Sequence, residues 1–328
     1  MLEIVIRKND AGQRLDKFLL KSFSNLPPSL MYKAIRQKKI KRNRARAEQN
    51  ALLEEGDVLQ IFLPEEFFVK EAAKDAFMRL TPELAVLYED ENVLVVEKKP
   101  GMPVHPDEKQ ETGTLIDHIK AYLYDKGAYD PSAEQSFSPA LCNRIDRNTG
   151  GIVLAAKNAE ALRAMNAAIK AGALDKRYLC AAHGVFEKKS DLLTGWLVKD
   201  SAKNTVTVFD EAPRGAGREV KEIRTGYRVL SASKELSLLE IRLYTGRTHQ
   251  IRAHLAHIGH PLLGDGKYGR NGDQKRYGVY CQALCAYRLT FHTGGDPVLG
   301  GLDGKTVSVP LEHVDFLKFF PDFHGENG

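Results

Sequence analysis

The chain has 328 residues, 43% of them hydrophobic and 28% charged, with a formal net charge of +5. That is the balance of a folded globular protein of about two domains. It excludes a disordered chain, a collagen-like rod and a disulfide-dense miniprotein, and no apolar run nears the ~20 residues that span a bilayer.

The opening segment, MLEIVIRKND, has no apolar signal core and no small-residue cleavage site, so it is expected to belong to the mature fold. Residues 14–63 read as a small α+β unit. Leu15, Phe18 and Leu19 stand at helical spacing, Pro27-Pro28 breaks the pattern, and Ser29 is placed to cap a second helix carrying Leu30, Ala34 and Ile35. A turn at Glu54–Asp57 then feeds a strand, Val58–Leu63. Lys33, Arg36, Lys38, Lys39, Lys41, Arg42, Arg44 and Arg46 fall in this unit with no acid between them, and they leave the rest of the chain slightly acidic. Met31, Ala34, Ile35 and Ile40 punctuate the run, so it is a folded surface rather than a tail. A one-signed surface of this size fits a polyanion, nucleic acid first.

Residues 64–83 are charged and irregular and read as a linker. A larger region, 84–320, follows. Val93–Val96, Ile152–Ala155 and Ser237–Leu243 are strand-like, and a helix capped by Asn158 carries Leu162, Met165 and Ile169 until Gly172 ends it. Strands outnumber helices and many are separated by turns, which predicts an α+β class with a mixed, mostly antiparallel sheet.

Three segments place polar groups at element ends. In Asn143-Arg144-Ile145-Asp146-Arg147-Asn148-Thr149-Gly150-Gly151, an Asp flanked by two Arg residues sits on a glycine loop before a buried strand. Such a carboxylate serves as a nucleophile, a base or a metal ligand, or as an ordinary turn residue. Tyr178, in KRYL, is either a core aromatic or a phenol facing a substrate. In the stretch Tyr244 to Pro261, Ile251, Leu255 and Ile258 give a helical stripe. Thr248 as N-cap would put Arg247 at the mouth of that helix, where a carboxylate or phosphate is favoured.

Other chemistry lacks its usual signals. The four histidines of the third segment raise a metal reading, but His254 and His257 are three apart and no HExxH glutamate precedes them. Cys281 and Cys285 have no second pair to complete a zinc set. With Cys142 and Cys180 they read as reduced thiols of a cytoplasmic protein. No dinucleotide, P-loop or nucleophile-elbow motif is present, so redox, phosphoryl-transfer and serine-hydrolase chemistry lose their supports.

NRIDRNTGG resembles the aspartate loop of the RluA-type RNA pseudouridine synthases, KRYLCAAHG their tyrosine motif, and TGRTHQIRAHLAHIGHPLLGDGKYG their arginine motif. YEDENVLVVEKKPGMPVHP resembles the family's opening strand and loop, and LCAYRLTF its closing segment, all in family order. Residues 14–63 resemble an S4 RNA-binding domain. Asn143, Gly150 and Cys285 depart from the family pattern.

The resemblance implies isomerisation of uridine to pseudouridine in RNA. The N1–C1′ bond breaks, the uracil turns, and C5 joins C1′, with no cofactor, nucleotide or metal. It implies Asp146, Tyr178 and Arg247 as the catalytic set. Asp146 would act as nucleophile or as the carboxylate that stabilises the sugar, and Arg247 would pair with it. Tyr178 would stack on the base or move a proton, and Ile145 would build the pocket wall. Arg144, Arg147, Lys33, Arg36, Lys38, Lys39, Lys41 and Arg42 would contact RNA. Large-subunit ribosomal RNA is the expected target, with transfer RNA second, for a monomeric enzyme. The alternatives are a non-catalytic RNA-binding or assembly factor that keeps the fold, and a metal-dependent hydrolase working through the histidines.

Overall fold

The computed structural model describes residues 1–68, 72–107, 110–214 and 219–325. The first unit holds strands β1 (Leu2–Val5), β2 (Ile40–Arg42), β3 (Ala45–Arg46) and β4 (Val58–Ile61), and helices α1 (Leu15–Ser22) and α2 (Pro28–Arg36). Its sheet order is β1-β4-β2-β3. The unit therefore begins at Leu2 rather than at residue 14, because β1 pairs antiparallel with β4, Leu2 facing Ile61. Pro28 occupies the first turn of α2, with Pro27 as its N-cap. A missing N–H costs nothing at that position, so the helix starts before Ser29. Leu15, Phe18, Leu19, Met31, Ile40 and Leu59 are fully buried between helices and sheet. Each contributes about 1.5–3 kcal/mol by leaving water.

Residues of the expected linker form two 3₁₀ segments, Glu65–Phe68 and Ala72–Arg79. The linker is not a loose tether at its far end, since Phe77 is buried in the larger unit's core against Tyr129 and Tyr124. The two units also touch directly. Ser136 donates from its backbone N and Oγ to Asp10 Oδ1 at 3.1 and 2.6 Å, and Asn9 Nδ2 reaches Glu134 at 2.8 Å.

The second unit is one eleven-stranded mixed sheet with few helices, an α+β architecture. Its strands are β5 (Ala85–Glu89), β6 (Val93–Lys98), β7 (Ala140–Leu141), β8 (Gly150–Ala156), β9 (Leu174–His183), β10 (Ser190–Asp200), β11 (Thr205–Phe209), β12 (Val220–Ala232), β13 (Leu236–Leu243), β14 (Leu284–Phe291) and β15 (Thr306–Ser308). The main path runs β11-β10-β12-β13-β9-β14-β8-β6-β5, with β15 on β14 and β7 on β8. Among the described residues every pairing is antiparallel except β14 with β8, where Cys285 faces Gly150 and Ala286 faces Gly151.

Alternation along the strands divides the core in two. Leu94, Val96, Val153, Tyr178, Leu239 and Ile241 point to one face, with helix α3 (Leu115–Asp125) and helix α5 (Gln250–His257). Val93, Val95, Leu154, Leu179 and Leu238 point to the other, with helix α4 (Ala159–Lys170) and the C-terminal residues to Phe320. Asn158 caps α4 as its sequence predicts, accepting from Ala161 N at 2.8 Å. A last short helix, α6, spans Asp273–Tyr277. No helix among the described residues is long and apolar enough to cross a membrane.

Candidate active site

The Asp146 loop is held from several sides. Asn143 lies beside β8 like an extra strand residue, its Oδ1 accepting from Leu154 N at 2.7 Å and its Nδ2 donating to Ile152 O at 3.4 Å. Thr149 N closes the turn onto Asp146 O at 3.0 Å, and the buried Thr149 Oγ1 accepts from Gln282 Nε2 at 3.0 Å. Gly151 sits at φ +112, and a Cβ there would stand 2.3 Å from Ala286 O. Only glycine allows β8 to lie this close to β14.

Lys98 supplies a further tie. Its side chain is buried at the end of β6, and Nζ donates to the carbonyls of Lys99, Met102 and Arg147 at 3.0, 2.9 and 2.8 Å. All three ammonium protons are used. Burial lowers its pKa to about 7, against the opposing pull of Asp146.

The expected partner of Asp146 was Arg247. Arg252 takes that place, with Nη1 at 2.7 Å from Asp146 Oδ2. Its Nε and Nη2 grip both oxygens of Asp265, each at 2.7 Å. The local backbone explains the change of residue. Helix α5 begins at Gln250, after His249 at φ +52, and Thr248 does not cap it. No side chain caps it; Gln250 instead ties down the preceding turn, its Oε1 accepting from Arg247 N at 3.1 Å and Thr245 Oγ1 at 2.8 Å. Arg247 is thereby left on the exposed side of the turn, while Arg252 points inward.

Burial works against the charge on Arg252, but Asp265 and Asp146 outweigh it and raise its pKa. Burial likewise opposes the charge on Asp265, and Arg252 reverses this and lowers the pKa of its carboxyl. The three groups form a carboxylate–guanidinium–carboxylate bridge with one outer oxygen, Asp146 Oδ1, bearing no hydrogen bond among the described residues. Asp146 is 27% exposed and Asp265 is sealed.

Tyr178 lies on β9 opposite Ile241, with its ring in the same core face as Ile145. Burial first, then Asp146 and Cys285, raise the pKa of its phenol, so it carries its proton throughout the physiological range. It can stack or donate, and it is no base. Arg144 is exposed beside the loop. Arg147 pairs with Asp107 through Nη2 alone, which donates to both carboxylate oxygens at 2.8 and 2.7 Å.

From the sequence Arg252 is only the fallback to Arg247, and Asp265, Lys98, His249 and Tyr268 carry no assigned role. The available signal was a charged residue between two core positions, Ile251 and Ala253, which requires a buried partner. The histidines divide their duties. His254 Nδ1 meets Thr225 Oγ1 at 3.0 Å, and His257 Nε2 meets Asp210 at 2.9 Å. Among the described residues no three His, Cys, Asp or Glu side chains converge as metal ligands.

A groove of about 390 Å³ lined by Arg177, Arg228, Glu240, Arg242 and Tyr244 lies on the opposite face of the sheet, since Arg177 and Arg242 alternate with Tyr178 and Ile241. It is separate from Asp146.

In the first unit Lys33, Arg36, Lys38 and Lys39 are exposed, while Lys41 is half-buried over the Phe62 ring. Arg42 departs from expectation, because Asp57, buried, holds its guanidinium at 2.6 Å. Asn43 and Arg44, at φ +50 and +66, make the two-residue turn between β2 and β3.

The family description "RNA pseudouridylate synthase" matches residues 92–257, which contain both Asp146 and Arg252. An uncharacterized RNA pseudouridine synthase of Mycoplasma genitalium is 33% identical over 298 residues, covering 88% of this chain and 88% of the relative. The chain belongs to the RNA pseudouridylate synthase family. As a pseudouridine synthase it is an isomerase. The ribosomal large subunit pseudouridine synthase C of Vibrio cholerae is 31% identical over 316 residues, covering 94% of this synthase and 93% of the relative. A solved human structure, RNA pseudouridylate synthase domain containing 4, shares the fold at a TM-score of 0.55 and 22% identity, covering 71% of this synthase and 92% of that chain.

Proposed function

We propose that this synthase isomerises uridines of large-subunit ribosomal RNA, with Asp146 as the group that acts on the target ribose. The observation that carries the reading is the Asp146–Arg252 pair at 2.7 Å, which fixes one carboxylate oxygen and leaves the other without a hydrogen bond among the described residues. Whether that oxygen attacks C1′ or stabilises the sugar as uracil leaves, it needs the same placement. Arg252 is the positioning residue, itself set by buried Asp265. Tyr178 offers a ring to stack on the extruded base and a protonated hydroxyl. A stacked uracil costs a few kcal/mol to extrude, and contacts to phosphate supply binding energy without reading sequence. The exposed Lys33, Arg36, Lys38 and Lys39, on an S4-like unit, are placed for this, with Arg144 at the loop itself. Names of relatives such as that of Vibrio cholerae support a ribosomal target.

The deciding experiment is pseudouridine mapping of total RNA from cells with and without the gene. Loss of sites in large-subunit RNA is expected. Loss confined to transfer RNA would move the target, and no lost site anywhere would favour a non-catalytic RNA-binding factor.

A further inference from the structure

His249 Nε2 stands 3.9 Å from Asp146 Oδ1, the carboxylate oxygen that Arg252 leaves open. That is beyond a hydrogen bond, yet the ring is firmly set. Its side chain is only 8% exposed. Its backbone takes the left-handed φ of +52, a conformation that non-glycine residues keep chiefly where the surroundings impose it. Nδ1 lies 2.9 Å from Tyr268 Oη, and the two rings meet edge to face.

The hydrogen-bond inventory assigns the tautomer. Tyr268 Oη accepts the Val206 N–H at 2.8 Å, and among the described residues His249 Nδ1 is the acceptor within reach of its own proton. Nδ1 is then an acceptor, and Nε2 carries the hydrogen that faces Asp146. Burial lowers the imidazole pKa, which agrees with a neutral ring.

A donor and an acceptor held 3.9 Å apart leave room for one bridging oxygen. An atom about 2.9 Å from Nε2 and about 2.7 Å from Oδ1 closes the triangle with an angle near 90°. It must accept from nitrogen and donate to the carboxylate. Phosphate and carbonyl oxygens cannot donate, and the uracil N3–H cannot accept. A hydroxyl does both. Inside an RNA strand the 3′ and 5′ oxygens are esterified, so the one ribose hydroxyl is the 2′-OH.

We propose that His249 is a positioning residue whose Nε2–H donates to the 2′-hydroxyl of the target nucleotide, which in turn donates to Asp146 Oδ1. The contact sets C1′, one bond from C2′, against the carboxylate, and it distinguishes RNA from DNA at the reacting residue. It rests on the reading of Asp146 as the group acting on that ribose.

Single-turnover rates are measured with the full-length protein on total RNA from cells lacking the gene. His249→Gln places an amide N–H near the Nε2 position, whereas His249→Asn places one near Nδ1 and tolerates the left-handed backbone. Gln is expected within about fivefold of wild type and Asn about 10- to 100-fold down, the range for leaving a buried hydrogen-bonding group without its partner. Asn rescuing where Gln fails would make the residue a prop for Tyr268 and overturn the proposal, as would wild-type rates in both.

A second measurement is independent of turnover. Affinity is compared for RNA rebuilt by ligation with uridine or a single 2′-deoxyuridine at the mapped site. His249→Asn should weaken binding of the first and leave the second unchanged, and equal weakening of both would overturn the proposal. Asp146→Asn, run alongside, separates the two readings. If it is inactive while the His249 variants behave as wild type, only the histidine assignment falls. If it is active, the reading of Asp146 falls and the histidine assignment with it.

Discussion

Arg252 and Asp146 meet at 2.7 Å, across 106 residues of chain. Arg252 also grips the sealed Asp265, whose carboxylate accepts besides from the backbone N–H groups of Lys267 and Tyr268. One side chain therefore serves both the chemistry and the folding of the site, and the two effects separate experimentally.

Arg252→Ala should lower kcat by about 10²–10³-fold, the range for removing a preorganised electrostatic partner. It should also destabilise the fold by about 3–5 kcal/mol, because Asp265 is left as an unpaired buried charge. Adding Asp265→Asn should restore much of the stability and little of the rate. Arg252→Lys should recover part of the rate, since the charge returns without the planar fork. Arg247→Ala should stay within a few-fold of wild type in kcat. Denaturant unfolding and single-turnover assays on the same preparations decide this, and a large kcat loss in Arg247→Ala would reinstate that residue.

Asp146→Asn should retain RNA affinity within about threefold and lose turnover by on the order of 10³-fold or more. The amide matches the carboxylate in shape and can still accept from Arg252, so folding should survive. Filter binding beside a pseudouridine assay checks both halves. Turnover within tenfold of wild type would remove Asp146 from its assigned role.

Gly151→Ala should destabilise by more than about 2 kcal/mol. The new methyl meets backbone rather than a yielding side chain, at 2.3 Å from Ala286 O, on a residue with φ +112. Gly172→Ala, also at positive φ but with open space around it, is the control and should cost less. Equal melting shifts would mean that β8 and β14 give way freely.

Lys98 makes stability depend on pH with a definite sign. Its folded pKa of about 7 lies below the ordinary lysine value of 10.5, so between these limits the unfolded chain binds more protons. Wild-type stability should rise relative to Lys98→Met by about 1.4 kcal/mol per pH unit from 7 towards 10.5, and the difference should be flat below 7. Above pH 7 the amine has two protons for three carbonyls, one of them Arg147 O in the Asp146 loop. Activity should accordingly decline on the alkaline side. Urea titrations of both proteins at pH 6.5, 8 and 9 test the sign. A difference that does not change with pH would place the lysine's titration elsewhere.

Neutralising Lys38, Lys39 and Lys41 should flatten the plot of log K against log salt by about 0.7 per lost contact on single-stranded RNA, up to ~2 in all. The kcat at saturation should hold, because such contacts bind ground state and transition state alike. Arg42→Gln should instead lower stability, since Asp57 loses its partner. An unchanged salt slope would make the lysines a solvated surface.

Much of the sheet could be read directly. Val93–Val96 and Ile152–Ala155 are unbroken apolar runs because β6 and β8 are covered on both faces. Asn158 was legible because a cap is a local event. The start of the first unit was not, because β1 earns its place by pairing with a strand some sixty residues away. Arg252 escaped for a different reason. Thr248 offers the usual cap, yet α5 starts after His249 with no side-chain cap, so the usual preferences set the first turn too early. The loop around Asp146 was recognisable from its glycines, while its restraints come from Lys98 at the end of β6 and from Gln282 just before β14.

The parallel junction of β14 with β8 governs when the enzyme becomes competent as it is made. The first unit closes on itself once β4, ending at Ile61, can reach β1. Gly150 and Gly151 have no wall to rest against until Cys285 and Ala286 exist, and Thr149 waits for Gln282. A nascent chain therefore forms its first unit before Gln282, Cys285 and Ala286, which complete the carboxylate loop, have been added. The long sequence separation of these contacts makes the last step the slow one.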